Sequence, residues 1–318
     1  MSEAGGTELY GISARLVREA CDSIEYEIEC NTQNGTMKFF HLFPGIDYAI
    51  TAFSAFSCMP RRRSFPDVIE FAFCKSGRFE CEYEGSFFTY VGEGDFAICP
   101  LHAQLAASSF PLRCYEGFAI IVDLKYVGTV LEYVIEDLTI DFQFLLHKFC
   151  PYNRCAVIKP VSALQHVCYE LYDCSKKQNR GYMRLKVLEL FFLLMQWMPK
   201  ENTATTVYFA GVYIKKIKAI KAYITEHLDE RLSLNELAQK YNISLTMMKN
   251  CFKAVYGKPI NRFQREYKMQ KAGQLLKNTN YSILEIAGRM GFENPSKFSS
   301  AFKEIIGCSP REYRQNCK

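Results

Sequence analysis

The chain has 318 residues, 49% hydrophobic and 23% charged, an ordinary globular composition with enough length for two or three cores. No apolar run reaches the ~20 residues that a membrane-spanning helix needs; the strongest, Val187 to Met198, is short and broken by Glu189 and Gln196. The net charge of +5 is unevenly divided: residues 213–318 hold 20 Lys and Arg against 9 Asp and Glu, whereas residues 1–212 hold 19 against 25. A basic C-terminal segment beside an acidic remainder is the balance expected when only the former meets phosphate.

The opening MSEAGGTELY has neither a basic nor an apolar signal region, so a cytoplasmic location is expected. In that compartment the fourteen cysteines should stay reduced and act as small buried hydrophobes. They form no C-x-x-C, and Cys150-x4-Cys155 has no second pair nearby, so no metal site and no cofactor is expected. Residues 1–36 show little periodicity and read as a leader.

Residues 37–124 give short alternating runs broken by turn residues. Val68–Phe73, Gly77–Tyr83, Phe87–Val91, Phe96–Pro100 and Tyr115–Asp123 are strand candidates, with Gly85-Ser86 as a hairpin turn. Seven or eight strands at this spacing predict a small antiparallel barrel or jelly roll. The segment is rich in aromatics, among them Phe39, Phe40, Phe53, Phe56, Phe71, Phe73, Phe79, Phe87, Phe88 and Tyr90. Half are expected in the core, and the rest are candidates to line an apolar pocket for a small molecule. Arg61-Arg62-Arg63 reads as a loop, either solvated or facing an anionic effector or the basic domain. Only His41 and His102, of five histidines, fall in this region, too few for a catalytic metal centre. His102 is read as a strand-end residue or an effector contact. Candidate effector contacts are thus Arg61, Arg62, Phe73 and His102.

Residues 125–200 change to a helical period. Asp141–Phe149 is a short helix; Val161, Leu164, Val167, Cys168 and Leu171 mark the face of a second, after Pro160. From Gly181 to Met198, Tyr182, Leu185, Leu188, Phe192 and Met195 form one apolar side, and Phe191, Leu194 and Met198 a second. A helix apolar on two sides must bury both. The barrel is expected to cover one and a partner subunit the other, so Leu188, Phe191, Leu194 and Met198 are the candidate dimer seam. Residues 201–212 read as a linker.

Residues 213–318 contain one pattern twice. Ser233-x-x-Glu236-Leu237-Ala238, Asn242 and Phe252-Lys253 are echoed by Ser282-x-x-Glu285-Ile286-Ala287, Gly291 and Phe302-Lys303, about 50 residues on. Each copy reads as helix, turn, helix, opened by a capping box. Outward positions on the second helices are Thr246, Lys249, Asn250 and Lys253, then Ser296, Lys297, Ser299, Ser300 and Lys303. They are the candidate DNA-binding residues. One long helix from Pro259 to Asn278 joins the copies and would let them enter major-groove segments about one turn, ~34 Å, apart.

These residues, with Gly257, Ala272-x-x-Leu275-Leu276, Phe292, Phe298, Gly307, Pro310 and Tyr313-Arg314, resemble the AraC/XylS family of bacterial transcription regulators. More loosely, Gly94-Asp95 and Pro100-x-His102 are similar to the cupin-type sensor domain of many members. Tyr267, Asn250 and Ser300 depart from the family, which often has Arg there. The segment from Phe263 to Ala272 looks like a subgroup that includes siderophore-responsive regulators. The expected fold class is therefore α+β multidomain: a cupin-like antiparallel β-barrel, a helical dimerisation subdomain, and an all-α domain with two helix-turn-helix units. With the readings above, the expectation is a non-enzymatic, cytoplasmic, homodimeric regulator; the resemblance implies by default an activator working through RNA polymerase. Its partners would be promoter DNA and a small-molecule effector. A cupin-fold metalloenzyme fused to a DNA-binding domain, and a helical interaction scaffold, are the competing readings.

Overall fold

The computed structural model describes residues 14–20, 23–30, 34–57, 65, 67–101, 105–127, 140–151, 153–160, 162–197, 206–230 and 233–316. Arg61, Arg62, His102, Val161, Met198 and residues 201–205 of the expected linker lie outside the described residues. The chain divides into two units, Met1–Phe209 and Ala210–Lys318. None of the described helices is long and apolar enough to cross a membrane.

The first unit is built on a large sheet. Its strands are β1 (Ala14–Ala20), β2 (Ser23–Ile28), β3 (Gly35–Phe43), β4 (Ile46–Phe53), β5 (Val68–Tyr83), β6 (Phe87–Gly92), β7 (Phe96–Pro100), β8 (Leu105–Ser109), β9 (Tyr115–Asp123), β10 (Ala156–Ile158) and β11 (Phe209–Ala210). The main order is β1-β2-β3-β4-β9-β5-β6-β11; β7 and β8 also pair with β5, and β10 pairs with β7. Ladders among β1–β10 are antiparallel. Residues 14–20 and 23–28, inside the segment read as a leader, are thus strand. Adjacent Leu16 and Val17 are both exposed, at 51% and 56%, which erases the alternation that marks a half-buried strand.

The two expected strands at Val68 and Gly77 are one continuous β5. It passes through Gly77 at φ +86°, and a Cβ there would lie 2.1 Å from the Cys114 carbonyl oxygen, so only glycine lets the strands approach. The first part of β5 pairs with β9 and β7, the second with β6 and β8.

Period-two alternation sends side chains from the two faces of the sheet into two cores. On β9, Phe118, Ile120 and Val122 join one, while Tyr115 and Ile121 join the other. The first core is closed by helices α1 (Leu124–Val127), α2 (Phe142–Phe149), α3 (Ser162–Lys176) and α4 (Arg180–Gln196). Phe191 of α4 meets Phe71 at 5.1 Å and Phe142 at 5.0 Å between ring centroids, both edge-on. Arg184 Nε donates to the Leu42 carbonyl at 2.6 Å, fixing α4 to β3. Lys148 Nζ donates to the carbonyls of Leu194 and Met195 at 3.0 and 2.9 Å, placing a cation where the α4 dipole is negative.

Three expectations change here. First, Leu188, Phe191 and Leu194 are buried in the chain's own core, with Phe191 and Leu194 at 0% exposure, so they cannot form a dimer seam. The exposed apolar side of α4 is instead Tyr182, Leu185 and Phe192, with Leu185 at 63%. Both sides satisfy a helical period; packing against Phe71 and Phe142 decides which one is covered. Second, Phe73 is 0% exposed and wedged between Phe118 and Tyr169, at 5.6 and 5.1 Å, and so fills the core rather than lining a pocket. Seven of the ten named aromatics are buried; Phe56 and Phe87 are exposed and Phe79 is intermediate. Third, Cys99 and Cys155 form a disulfide, and Cys30 is disulfide-bonded as well, so these three thiols are not reduced. Cys74, Cys81, Cys150, Cys168, Cys174 and Cys251 are buried. Burial pushes the Cys150 thiol up to about 12 and that of Cys251 to about 11, which keeps them protonated and unreactive.

The second unit is all helix: α5 (Gly211–Glu226), α6 (Leu234–Lys240), α7 (Leu245–Tyr256), α8 (Ile260–Asn278), α9 (Ile283–Arg289), α10 (Pro295–Ile306) and α11 (Pro310–Asn316).

Candidate nucleic-acid interface

Two helix pairs, α6–α7 and α9–α10, are built by the same local rules. Ser233 Oγ accepts from Glu236 N at 3.2 Å, and Glu236 Oε2 accepts from Ser233 N at 2.7 Å. Ser282 and Glu285 repeat this at 3.1 and 2.6 Å. Each box satisfies two backbone donors, and an N-cap is typically worth ~1 kcal/mol. The backbone N–H given by the serine, then its side chain, hold both glutamates below the usual carboxylate range. A third box joins Ser309 and Glu312 at the start of α11, at 3.2 and 2.7 Å. The signal was present as Ser309-Pro310-x-Glu312, but outside the repeated register it draws no notice.

The turns inside the pairs are left-handed, at Asn242 (φ +47°) and Gly291 (φ +75°). Lys216 Nζ of α5 donates to the Asn242 carbonyl at 2.5 Å and braces the first turn. Gly291 sits against the backbone of Asp229, whose carbonyl oxygen would be 2.8 Å from an added Cβ. Small residues sit where the paired helices cross: Ala238 and Ala287 are buried and accept from Ile243 N and Phe292 N at 3.0 and 2.9 Å. Ser244 caps α7; Asn294 caps α10 by accepting from Ser296 N and Lys297 N at 2.8 and 3.3 Å, with Pro295 in the first turn.

Apolar periodicity then fixes which faces are free. Met248, Cys251, Phe252 and Val255 of α7 are buried, as are Phe298, Ala301 and Phe302 of α10. The second set packs against Met269, Ala272 and Leu276 of α8. Thr246, Lys249, Asn250 and Lys253 are exposed on α7; Ser296, Lys297, Ser300 and Lys303 are exposed on α10, with Ser299 half-buried. Each second helix therefore carries its named residues on the face its core leaves open. Other charges are tied down: Lys258 and Arg262 hold Glu266, and Arg265 NH2 meets Glu304 at 2.5 Å. Lys268 is only 9% exposed, and the ring of the neighbouring Tyr267 stacks on Phe263.

Paired helices with capped starts, small residues at the crossing and polar outer faces define a helix-turn-helix DNA-binding module, present here twice. Residues 237–316 match a helix-turn-helix domain family. The transcriptional activator RhaR of Mannheimia succiniciproducens is 25% identical over 154 residues, 48% of this chain and 54% of that protein. YdiP of Escherichia coli K12, an uncharacterised helix-turn-helix regulator, is 36% identical over 110 residues, 33% of this chain and 36% of that protein. The C-terminal domain of AraT, a response regulator of Geobacillus stearothermophilus, is 31% identical, with 32% of this chain and 84% of that one aligned and a TM-score of 0.31. The matches thus span about half or less of the curated relatives' length. The helical unit is similar to the DNA-binding portions of AraC-type transcriptional regulators.

Proposed function

We propose that this protein is a promoter-binding transcription regulator, most simply an activator, in which α7 and α10 read successive major-groove segments of one site. The observation that carries the reading is the repetition of an exposed Lys-, Ser- and Asn-bearing face on the second helix of each pair, in the basic half of the chain. Lys249, Asn250, Lys297 and Ser300 would reach base edges, and Thr246, Lys253, Ser296, Ser299 and Lys303 the flanking phosphates. The sheet unit would act as a cupin-like barrel that takes a small organic effector, and RNA polymerase would be the downstream partner. Homodimerisation would use the exposed Tyr182, Leu185 and Phe192 of α4, an apolar stripe that water leaves uncovered at a cost.

Fluorescence anisotropy of the full chain on duplex DNA from upstream of its own gene tests the reading. Neutralising roughly 5–8 phosphates gives a slope of log affinity against log salt of about −4 to −7. Undetectable or salt-insensitive binding would reject it.

A further inference from the structure

We infer that Cys99 and Cys155 form a thiol–disulfide switch that sets how firmly the segment leading into the helical unit is held on the sheet. The two cysteines are 56 residues apart in sequence, Cys99 in β7 and Cys155 in the position just before β10. Strand β10 is short: its ladder to β7 consists of Ala156↔Ile98, Val157↔Ala97 and Ile158↔Phe96 alone. A three-residue ladder is a weak hold, so the covalent link is a main constraint on this strand.

The segment at residues 206–209 is held from two sides, by residues 154–157 and by β5 and β6. Val157 N donates to Thr206 Oγ1 at 2.8 Å, and the Tyr208 hydroxyl donates to the carbonyl of Cys155 itself at 2.7 Å. The Arg154 guanidinium lies over the Tyr208 ring at 5.5 Å. A further tie comes from β6, where Thr89 Oγ1 donates to the Val207 carbonyl at 3.2 Å. Three contacts end on residues 154–157, next to or on the disulfide, while the Tyr208 ring also meets Tyr83, the Phe209 ring Tyr90, and β11 pairs with β6. Helix α5 begins at Gly211, directly after this segment.

The chemistry is thiol–disulfide exchange with a dithiol reductant. Cys99 is partly exposed and Cys155 is buried, so the Cys99 sulfur offers the point of attack. A reductant thiolate bonds to it, the S–S bond breaks, and the Cys155 thiolate leaves and takes a proton. The reductant's second thiolate then displaces the Cys99 thiolate, which is protonated in turn. The protein gains two electrons and two protons, and the reductant departs as its own disulfide. Exchange with an oxidised dithiol reverses the sequence. With the link open, β10 keeps its short ladder and the burial of Ala156 and Ile158, and the side of the segment held by residues 154–157 loosens.

Hydrogen–deuterium exchange on the full chain, with and without a dithiol reductant, tests this without DNA, so its outcome is separable from the promoter-binding reading. Reduction should raise exchange about tenfold or more at residues 154–158 and 206–210, and leave β4 and β9 unchanged. Alkylation mapping should show Cys99 and Cys155 as newly reactive. The double variant Cys99→Ala/Cys155→Ala should exchange like reduced protein at both segments and stop responding, although the bond at Cys30 remains. If that variant fails to fold, the reduced wild-type chain decides. Unchanged exchange on reduction, loosening of β4 and β9 to the same degree, or a double variant that still responds at 206–210 would each overturn the proposal.

Discussion

Two glycines in the helical unit have the same backbone sign and different surroundings, and the pair isolates one energy term. Gly307 ends α10 at φ +94° with nothing within 4 Å of an added Cβ. Gly291 turns the second helix pair at φ +75°, and its Cβ would lie 2.8 Å from the Asp229 carbonyl oxygen and 3.1 Å from that of Leu228. Gly307→Ala should therefore cost only the left-handed conformation, ~1–2 kcal/mol. Gly291→Ala should cost that and a forced backbone shift, a further ~1–3 kcal/mol by analogy with overpacking. At a factor of ten per ~1.4 kcal/mol, local opening should rise about 5- to 30-fold for Gly307→Ala and a further roughly 5- to 150-fold for Gly291→Ala. Hydrogen exchange of α9 and α10 amides in the full chain reads both. Equal acceleration in the two variants would mean that the Asp229 contact carries no weight and that the close approach has been misjudged.

Leu185→Glu should give monomers by sedimentation with the sheet unit still folded, whereas Leu194→Glu buries a charge and should unfold it, at several kcal/mol; a wild-type chain monomeric at tens of micromolar would reject the α4 interface. Lys249→Ala, Asn250→Ala, Lys297→Ala and Ser300→Ala should change base preference by ~1–3 kcal/mol where the contact is bidentate, the two pairs acting on half-sites about one turn apart. Footprints unaltered in all four would mean that another face reads DNA. The carboxyls of Glu236, Glu285 and Glu312 lie below their usual value because backbone N–H groups of the caps donate to them. The unfolded chain then holds these protons more readily, so their stabilisation is complete above about pH 4.5 and is lost as pH falls through the lower folded values. Exchange in α9 should accelerate on acidification, and Glu285→Gln should blunt that response; an undiminished response would exclude the box as its source.

The helical unit was legible because its determinants are local. Ser233 and Glu236, or Ser282 and Glu285, are three residues apart, and the repeat states them twice. The family resemblance extended that reading to the whole unit. The sheet unit was legible in kind but not in detail. Alternation at Gly77–Tyr83 revealed a strand, yet nothing nearby shows that Gly77 continues it from Val68, because the reason is the distant Cys114 carbonyl. On α4 both apolar sides fit the helical period, and only Phe71 and Phe142 choose between them. The Cys99–Cys155 bond depends on β10 reaching β7, and a three-residue strand leaves almost no periodic trace.

The last strand of the sheet has a consequence for taking the molecule apart. Strand β11 lies beside β6 and is supplied by Phe209 and Ala210, beyond the stretch from which the sequence predicts the barrel and its helices. A fragment ended near residue 200 would lose the Val207 carbonyl that Thr89 bonds, the Phe209 ring beside Tyr90, and the Tyr208 ring against Tyr83. It would leave β6 as a bare strand margin, the kind of surface on which chains add to one another. Poor solubility of such a fragment would therefore reflect the place of the cut, and a fragment carried through residue 210 keeps its own border.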